Sequence, residues 1–181
     1  RHSGEHCRVV HEHVISSRQV DLQQVQADEI KGKVFGRTLW LAMAMMVPTR
    51  LWLGGILSPK RNLELIQSLA DQIRSIALCR ELLLAVDGLA SYVKAFQRAF
   101  RTPFREKGAL GRPHLIAWPK IAIVQVVKQR TAQTLTIDRR IVQGNPKMLA
   151  SLLLSSQNGA QINTAYIERL NATFRQRLAW L

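Results

Sequence analysis

The sequence predicts an α/β chain built on a mixed sheet with helices on both faces, and three observations carry that reading. Three apolar runs with short connections follow one another between residues 25 and 57, the pattern of an antiparallel meander. Leu63, Ile66, Leu69, Ala70, Ile73, Ile76 and Ala77 then recur at helical spacing. A short, wholly apolar run at 82–86 comes next and ends at Asp87-Gly88, as expected of a buried strand.

Taken in order, residues 1–20 are polar and rich in histidine; they read as a linker or the remnant of a missing N-terminal region. Residues 25–35 suit a strand, with Gly32 near its end. Residues 39–47 are apolar on both faces, which predicts a central strand covered on both sides. Pro48-Thr49 turns the chain into a third strand at 51–57. Asn62 is placed to cap the following helix of about four turns. After the strand at 82–86, Val93, Phe96 and Phe100 mark a shorter helix. Residues 101–113 are basic and contain Gly108, Gly111 and Pro113, which predicts a loop. Strand material follows at 115–118 and 121–127, split by Pro119. Residues 128–144 are polar and basic, with strand character only at 135–137. Asn145-Pro146 opens a helix to about residue 154, Gly159 breaks it, and a last helix runs from Asn163-Thr164 to the chain end.

The 181 residues suffice for one domain with a single core. A composition of 47% hydrophobic and 21% charged residues excludes a disordered chain. The charge is unusual: 26 Lys and Arg against 12 Asp and Glu give +14, a self-repulsion that points to an anionic partner, nucleic acid first. Residues 87–181 hold 15 basic and 4 acidic side chains, against 11 and 8 in residues 1–86, so phosphate contacts are expected in the second half. Cys7 and Cys79 have no metal-type spacing and make no disulfide framework, as in a reducing cytosol. The apolar stretch at 39–57 is interrupted by Pro48, Thr49 and Arg50, which argues against a bilayer span. Arg1 is not a start methionine and Leu181 stops inside an amphipathic pattern, so the chain is expected to be a fragment, truncated at its C-terminus.

With few acids present, each can be weighed. Asp28 lies inside a strand, where a carboxylate is costly unless it is solvated, paired or bound to a cation. Asp87 closes a buried strand, a common place for site residues, although Asp-Gly also starts turns. Glu168 lies at the edge of the stripe Ile167, Leu170, Phe174, Leu178 and Leu181, with Asn171 and Arg175 on its own face; it could equally be a solvated residue paired with Arg175. Glu29 is the rival of Asp28, because neighbours on a strand point to opposite faces. Phosphodiester cleavage by in-line attack gives a reason to want carboxylates together, since Mg²⁺ ions held by few carboxylates neutralise both the attacking and the leaving oxygen.

Three segments carry a resemblance. They are Gln26-Ala27-Asp28-Glu29-Ile30; Val86-Asp87-Gly88 with Tyr92; and Asn163-Thr164-Ala165-Tyr166-Ile167-Glu168-Arg169-Leu170-Asn171-Ala172-Thr173-Phe174-Arg175-Gln176-Arg177-Leu178. Together they resemble bacterial DDE transposases of the insertion-sequence-one type, from about Val25 to the last residue, the third segment being the most specific. The resemblance implies a ribonuclease H-like fold over residues 21–181; by order alone that topology is one of several that fit. It also implies Mg²⁺ or Mn²⁺ held by Asp28, Asp87 and Glu168, and DNA cleavage followed by strand transfer. Arg169, Asn171, Arg175 and Arg177 would line the DNA side of the last helix. The expected partners are transposon ends, target DNA and further copies of the chain, with no membrane and no small-molecule substrate, in the bacterial cytoplasm at the nucleoid. The alternatives are an inactive relic that only binds nucleic acid, and a structure-selective nuclease on the same fold.

The basic residues Arg98, Arg101, Arg105, Lys107 and Arg112 suit DNA-backbone contact. His2, His6, Cys7, His11 and His13 crowd the N-terminus but complete no four-ligand zinc pattern. Trp40, Trp52 and Trp118 lie in apolar runs and read as core, not as base-stacking platforms; Trp180, beside the chain end, supports neither reading.

Overall fold

The structure, a computed structural model, describes residues 2–16, 19–108, 110–131, 134–157, 159 and 161–178. Its elements in chain order are α1 (His2–Ser16), β1 (Gln24–Val34), β2 (Arg37–Met46), β3 (Trp52–Ser58), α2 (Leu63–Ile76), β4 (Leu82–Asp87), α3 (Ala90–Ala99), β5 (Arg101–Phe104), β6 (His114–Ala117), β7 (Ile121–Arg130), β8 (Leu135–Gln143), α4 (Pro146–Gln157) and α5 (Ala165–Leu178). Six strands form one sheet in the order β3-β2-β1-β4-β7-β8, and β5 and β6 pair as a separate hairpin. The chain is thus a mixed α/β structure: β1–β2, β2–β3 and β7–β8 are antiparallel, while β1–β4 and β4–β7 are parallel.

The meander forms as expected. Phe35 and Gly36 both have positive φ, 49° and 76°, the backbone of a two-residue hairpin turn whose twist matches the strands. The turn makes Phe35 fully exposed and lets β1 continue through Gly32 to Val34. In β2, Ala42, Ala44 and Met46 face one core while Met43 and Met45 face another, so both faces are covered, as the unbroken apolar run requires. The stretch at 39–57 is therefore β2 and β3, and among the described residues no helix is long and apolar enough to cross a membrane.

One face of the sheet packs on α2 and α3. Ile66, Leu69, Ala70 and Ile73 of α2 and Tyr92, Ala95 and Phe96 of α3 meet Val25, Ala27, Leu84 and Val86 there. The Asn62 side chain accepts from the Leu65 backbone N–H at 3.1 Å and starts α2 as expected. The other face carries two smaller cores. Helix α4 packs over Leu83, Ala85, Val124 and Val126; α5 packs through Ile167, Leu170 and Phe174 on Ile30, Met43 and Met45. The apolar stripe expected on α5 is thus in place for its first three members. The Leu178 side chain, Trp180 and Leu181 lie outside the described residues.

Four segments differ from expectation. Residues 2–16, read as a polar linker or remnant, form α1, which leans on the domain through His11, stacked on Trp52 at 5.3 Å. Val9, Val10 and Val14 are exposed, so no apolar stripe announces that helix. Residues 101–113, expected to be a loop, begin with β5, which pairs with β6. Every residue of both strands is exposed, so the period-2 signal of a half-buried strand is missing. β7 runs to Arg130, and β8 spans nine residues where the sequence pattern places strand character only at 135–137; β8 is an edge strand with little burial on either face. Helix α4 runs on to Gln157, past the expected end near residue 154. Trp118 is 5% exposed in the larger core and Trp40 packs against it, whereas Trp52, partly buried, lies between His11 and Phe174.

Candidate metal centre

Strand β1 organises the site, because its even-numbered residues face α4 and α5. The Gln24 Oε1 accepts from the Ser156 hydroxyl of α4. The Gln26 side chain is fully buried; its Oε1 accepts from the backbone N–H groups of Tyr166 and Ile167, both at 3.0 Å, and its Nε2 donates to the Asn163 carbonyl at 2.8 Å. An internal glutamine thereby satisfies two of the orphan N–H groups at the start of α5, and fixes that helix two residues away from Asp28. Arg50 adds a second clamp: its guanidinium lies 3.4 Å from the centre of the Tyr166 ring.

Asp28 is next on that face. Its Oδ2 accepts from Asn171 Nδ2 at 2.7 Å and its Oδ1 from the Glu29 backbone N–H at 2.8 Å. Ala27 lies opposite Val86 in the parallel β1–β4 ladder, so Asp28 and Asp87 follow side by side at the carboxyl end of β4. Asp28, Asp87 and Glu168 line one open cleft of about 480 Å³, together with Val126, Lys128, Thr164, Asn171 and Arg175. The sequence-predicted acids therefore come together from three elements.

Their standing is unequal. Carboxylate oxygens of Asp28, Glu29 and Asp87 lie within 4.8 Å of one another and could hold a metal ion; Glu168 is not in that group. Lys128 of β7 forms an ion pair with Glu168, and the Thr164 hydroxyl donates to the same carboxylate oxygen. Glu168 therefore faces the cleft but is held towards β7. Glu29 points to the opposite face of β1, with its side chain 2% exposed, and pairs with Arg61, whose Nε donates at 2.7 Å. Asp28 lines the cleft and Glu29 is the buried anion behind it, while both stand in the carboxylate group that could hold a metal ion. Tyr92, fully buried on α3, has its hydroxyl held protonated well above the usual range, first by burial and then by Glu29.

The electrostatics mark an excess of negative charge. Burial, then Glu29, raises the Asp28 carboxyl from 3.8 to about 7; the backbone hydrogen bond from Glu29 opposes this, and Asp87 and Glu168 add to it. Asn171 Oδ1 is buried without a hydrogen-bond partner. Clustered carboxylates beside an unpartnered amide oxygen are the hard donors that a small divalent cation takes, and a cation would lower the strain of keeping them ionised.

The basic residues divide between two places. On α5, Arg169, Arg175 and Arg177 are exposed, and Arg175 lines the cleft. Asn171 lines the cleft with Glu168 and Arg175, but it is 1% exposed and spends its amide on Asp28. Arg98, Arg101, Arg105, Lys107 and Arg112 are exposed on the end of α3 and on the β5–β6 arm. That arm leaves the domain where the Trp118 N–H meets the Phe100 carbonyl, beside the starts of β4 and β7. The carboxylates sit at the other end of β4, about 16 Å away along the strand. None of His6, Cys7, His11 and His13 joins a metal-type cluster among the described residues. Lys128, Thr164 and Gln26 were not expected in the site. Gln26 lies among the polar residues Gln23, Gln24, Asp28 and Glu29 and carried no signal of burial, and Lys128 sat in a stretch that read only as polar and basic.

In comparisons with known proteins, no family model, curated protein or solved structure matches the chain.

Proposed function

We propose that this chain is the catalytic core of a DNA transposase of the DDE class, similar to the insertion-sequence-one type, that cleaves element ends and joins them to target DNA. The observation that carries the reading is the convergence of Asp28, Asp87 and Glu168 on one cleft from β1, β4 and α5. A ribonuclease H-like fold is supported by the strand order, with three antiparallel strands followed by two parallel ones and an acid-bearing helix on one face. The surplus of 14 positive charges supports a polyanionic substrate.

Asp28, Asp87 and Glu168 would hold Mg²⁺ or Mn²⁺, which when bound supplies charge neutralisation at the attacking and leaving oxygens of a phosphodiester. The chain's own residues do the positioning. Asn171 orients Asp28, Gln26 sets the start of α5, and Thr164 and Lys128 hold Glu168 in place. Arg175, exposed and lining the cleft, would meet a phosphate. Further copies of the chain and a nucleoid location in the bacterial cytoplasm belong to the same reading.

The competing reading is a nucleic-acid-binding relic, favoured by the pairing of Glu168 with Lys128 and its absence from the tightest carboxylate cluster. Incubation with supercoiled plasmid and Mn²⁺ separates the two. The transposase reading expects nicked product that Asp28→Asn, Asp87→Asn and Glu168→Gln each reduce by at least about a thousandfold, with DNA binding retained. Cleavage that survives all three changes sinks it. Hydrolysis without joining of a 3′-hydroxyl end to a second DNA points to a nuclease on the same site.

A further inference from the structure

Strand β8 ends the sheet, and it is open. Its pairing with β7 satisfies one side, while among the described residues no strand pairs with the other. Leu135, Ile137, Ile141 and Val142 are exposed by 59%, 36%, 46% and 39%. The opposite edge strand, β3, is touched by α1, where His11 lies 2.6 Å from the Trp52 carbonyl. A long edge with exposed apolar side chains is a template for another strand.

We propose that β8 pairs antiparallel with β8 of a second copy, joining two six-stranded sheets across a two-fold axis at Arg139. The sequence of the strand selects this partner. In a continuous sheet such an axis lies perpendicular to it and passes beside one residue, which then faces its own copy. With Arg139 at the axis, Ile137 faces Ile141 of the copy and Asp138 faces Arg140 of the copy, and the irregularity at Val142, where the β7–β8 register shifts, lies outside this stretch. Moving the axis to residue 138 sets Asp138 against itself; moving it to 140 sets Arg140 against itself. Charge complementarity thus selects this register over its neighbours. Its one unfavourable contact is Arg139 against its copy. That side chain leans back on its own chain, with Nε donating to the Ile162 carbonyl at 2.7 Å. Asp138 already holds Arg140 of its own strand at 2.6 Å, so in the pair it lies between two guanidinium groups. The axis keeps both α5 faces on one side of the joined sheet, and the inference does not depend on the metal reading.

Two measurements on the 181-residue chain test it. In a Cys7→Ser, Cys79→Ser background, Arg139→Cys brings two thiols to the axis. The Cα spacing of directly opposed residues, roughly 4.5–5.5 Å, suits a disulfide, so mild oxidation gives a covalent dimer. Arg140→Cys lies two residues from its copy, beyond that spacing, and stays uncrosslinked. In sedimentation, Asp138→Arg weakens association by about tenfold or more, and adding Arg140→Asp restores it to within about threefold. A parent chain that remains monomeric at about 100 μM overturns the proposal. So does cross-linking at both positions or at neither, or an Asp138→Arg variant that associates like the parent.

Discussion

Replacing Asp28 with asparagine removes a charge and keeps the shape, and the site predicts that the chelated, metal-free protein gains stability from it. Asp28 has its carboxyl raised to about 7 against 3.8 unperturbed, by burial first and then by Glu29. The folded state therefore keeps a proton that the unfolded chain releases. The stability tied to this group is fully present below pH 3.8 and is lost as the pH rises through about 7. The full shift corresponds to roughly 4 kcal/mol as an upper bound. Asp28 is partly exposed to the cleft, so water screens some of this and about 2 kcal/mol is the working figure. The introduced amide cannot ionise and escapes the loss. Its carbonyl can keep the Glu29 N–H, and Asn171 can turn its own amide so that the unpartnered Oδ1 accepts from the new side-chain NH₂, an exchange near neutral in energy. In urea unfolding followed by circular dichroism with EDTA present, Asp28→Asn should be more stable than the parent by about 2 kcal/mol at pH 8, or roughly 4–8 °C in Tm. Near pH 4 the two should agree within about 1 kcal/mol. A variant less stable at pH 8, or one displaced equally at both pH values, would refute the placement of a charge-crowded Asp28.

Other consequences follow from named contacts. Gln26→Leu removes the acceptor for two N–H groups of α5 and should cost about 2–3 kcal/mol, with amide exchange accelerated in α5 before the rest of the sheet; uniform acceleration would count against that anchor. Arg61→Leu leaves the buried Glu29 without its cation and should destabilise by about 2–4 kcal/mol, largely recovered by adding Glu29→Gln. Failure of that rescue would show that Arg61 matters for another reason. Arg101→Ala, Arg105→Ala and Arg112→Ala together should lower the slope of log affinity against log salt by up to about 0.9 per lost phosphate contact. An unchanged slope would remove the β5–β6 arm from the DNA interface.

The sequence disclosed those parts of the fold whose burial is one-sided or complete. The meander, α2 with its Asn62 cap and the apolar β4 were all visible because core-facing residues repeat with the period of their element. The β5–β6 arm and most of β8 were not, because a strand exposed on both faces is held by backbone pairing that side-chain pattern does not encode. Helix α1 was hidden because its valines face solvent and leave no apolar stripe. At the site, the meeting of Asp28 with Asp87 follows from β1 and β4 lying parallel, a neighbour relation that no local pattern states. Helical spacing did place Asn171 and Arg175 with Glu168 on one cleft, but not that Asn171 would be buried and bonded to Asp28, a contact set by how α5 packs on the sheet.

The central claim, that Asp28, Asp87 and Glu168 form one divalent-cation site, is tested most directly by titrating the chain with Mn²⁺ at about pH 6.5, just below the raised Asp28 value, in two buffers of different ionisation heat. Saturable binding is predicted, with release of up to about one proton per chain, because Asp28 must give up its proton to bind. Asp28→Asn and Asp87→Asn should abolish binding, and Glu168→Gln should weaken it by about 10–100-fold. No saturable binding at millimolar Mn²⁺, or binding indifferent to all three substitutions, would contradict the account.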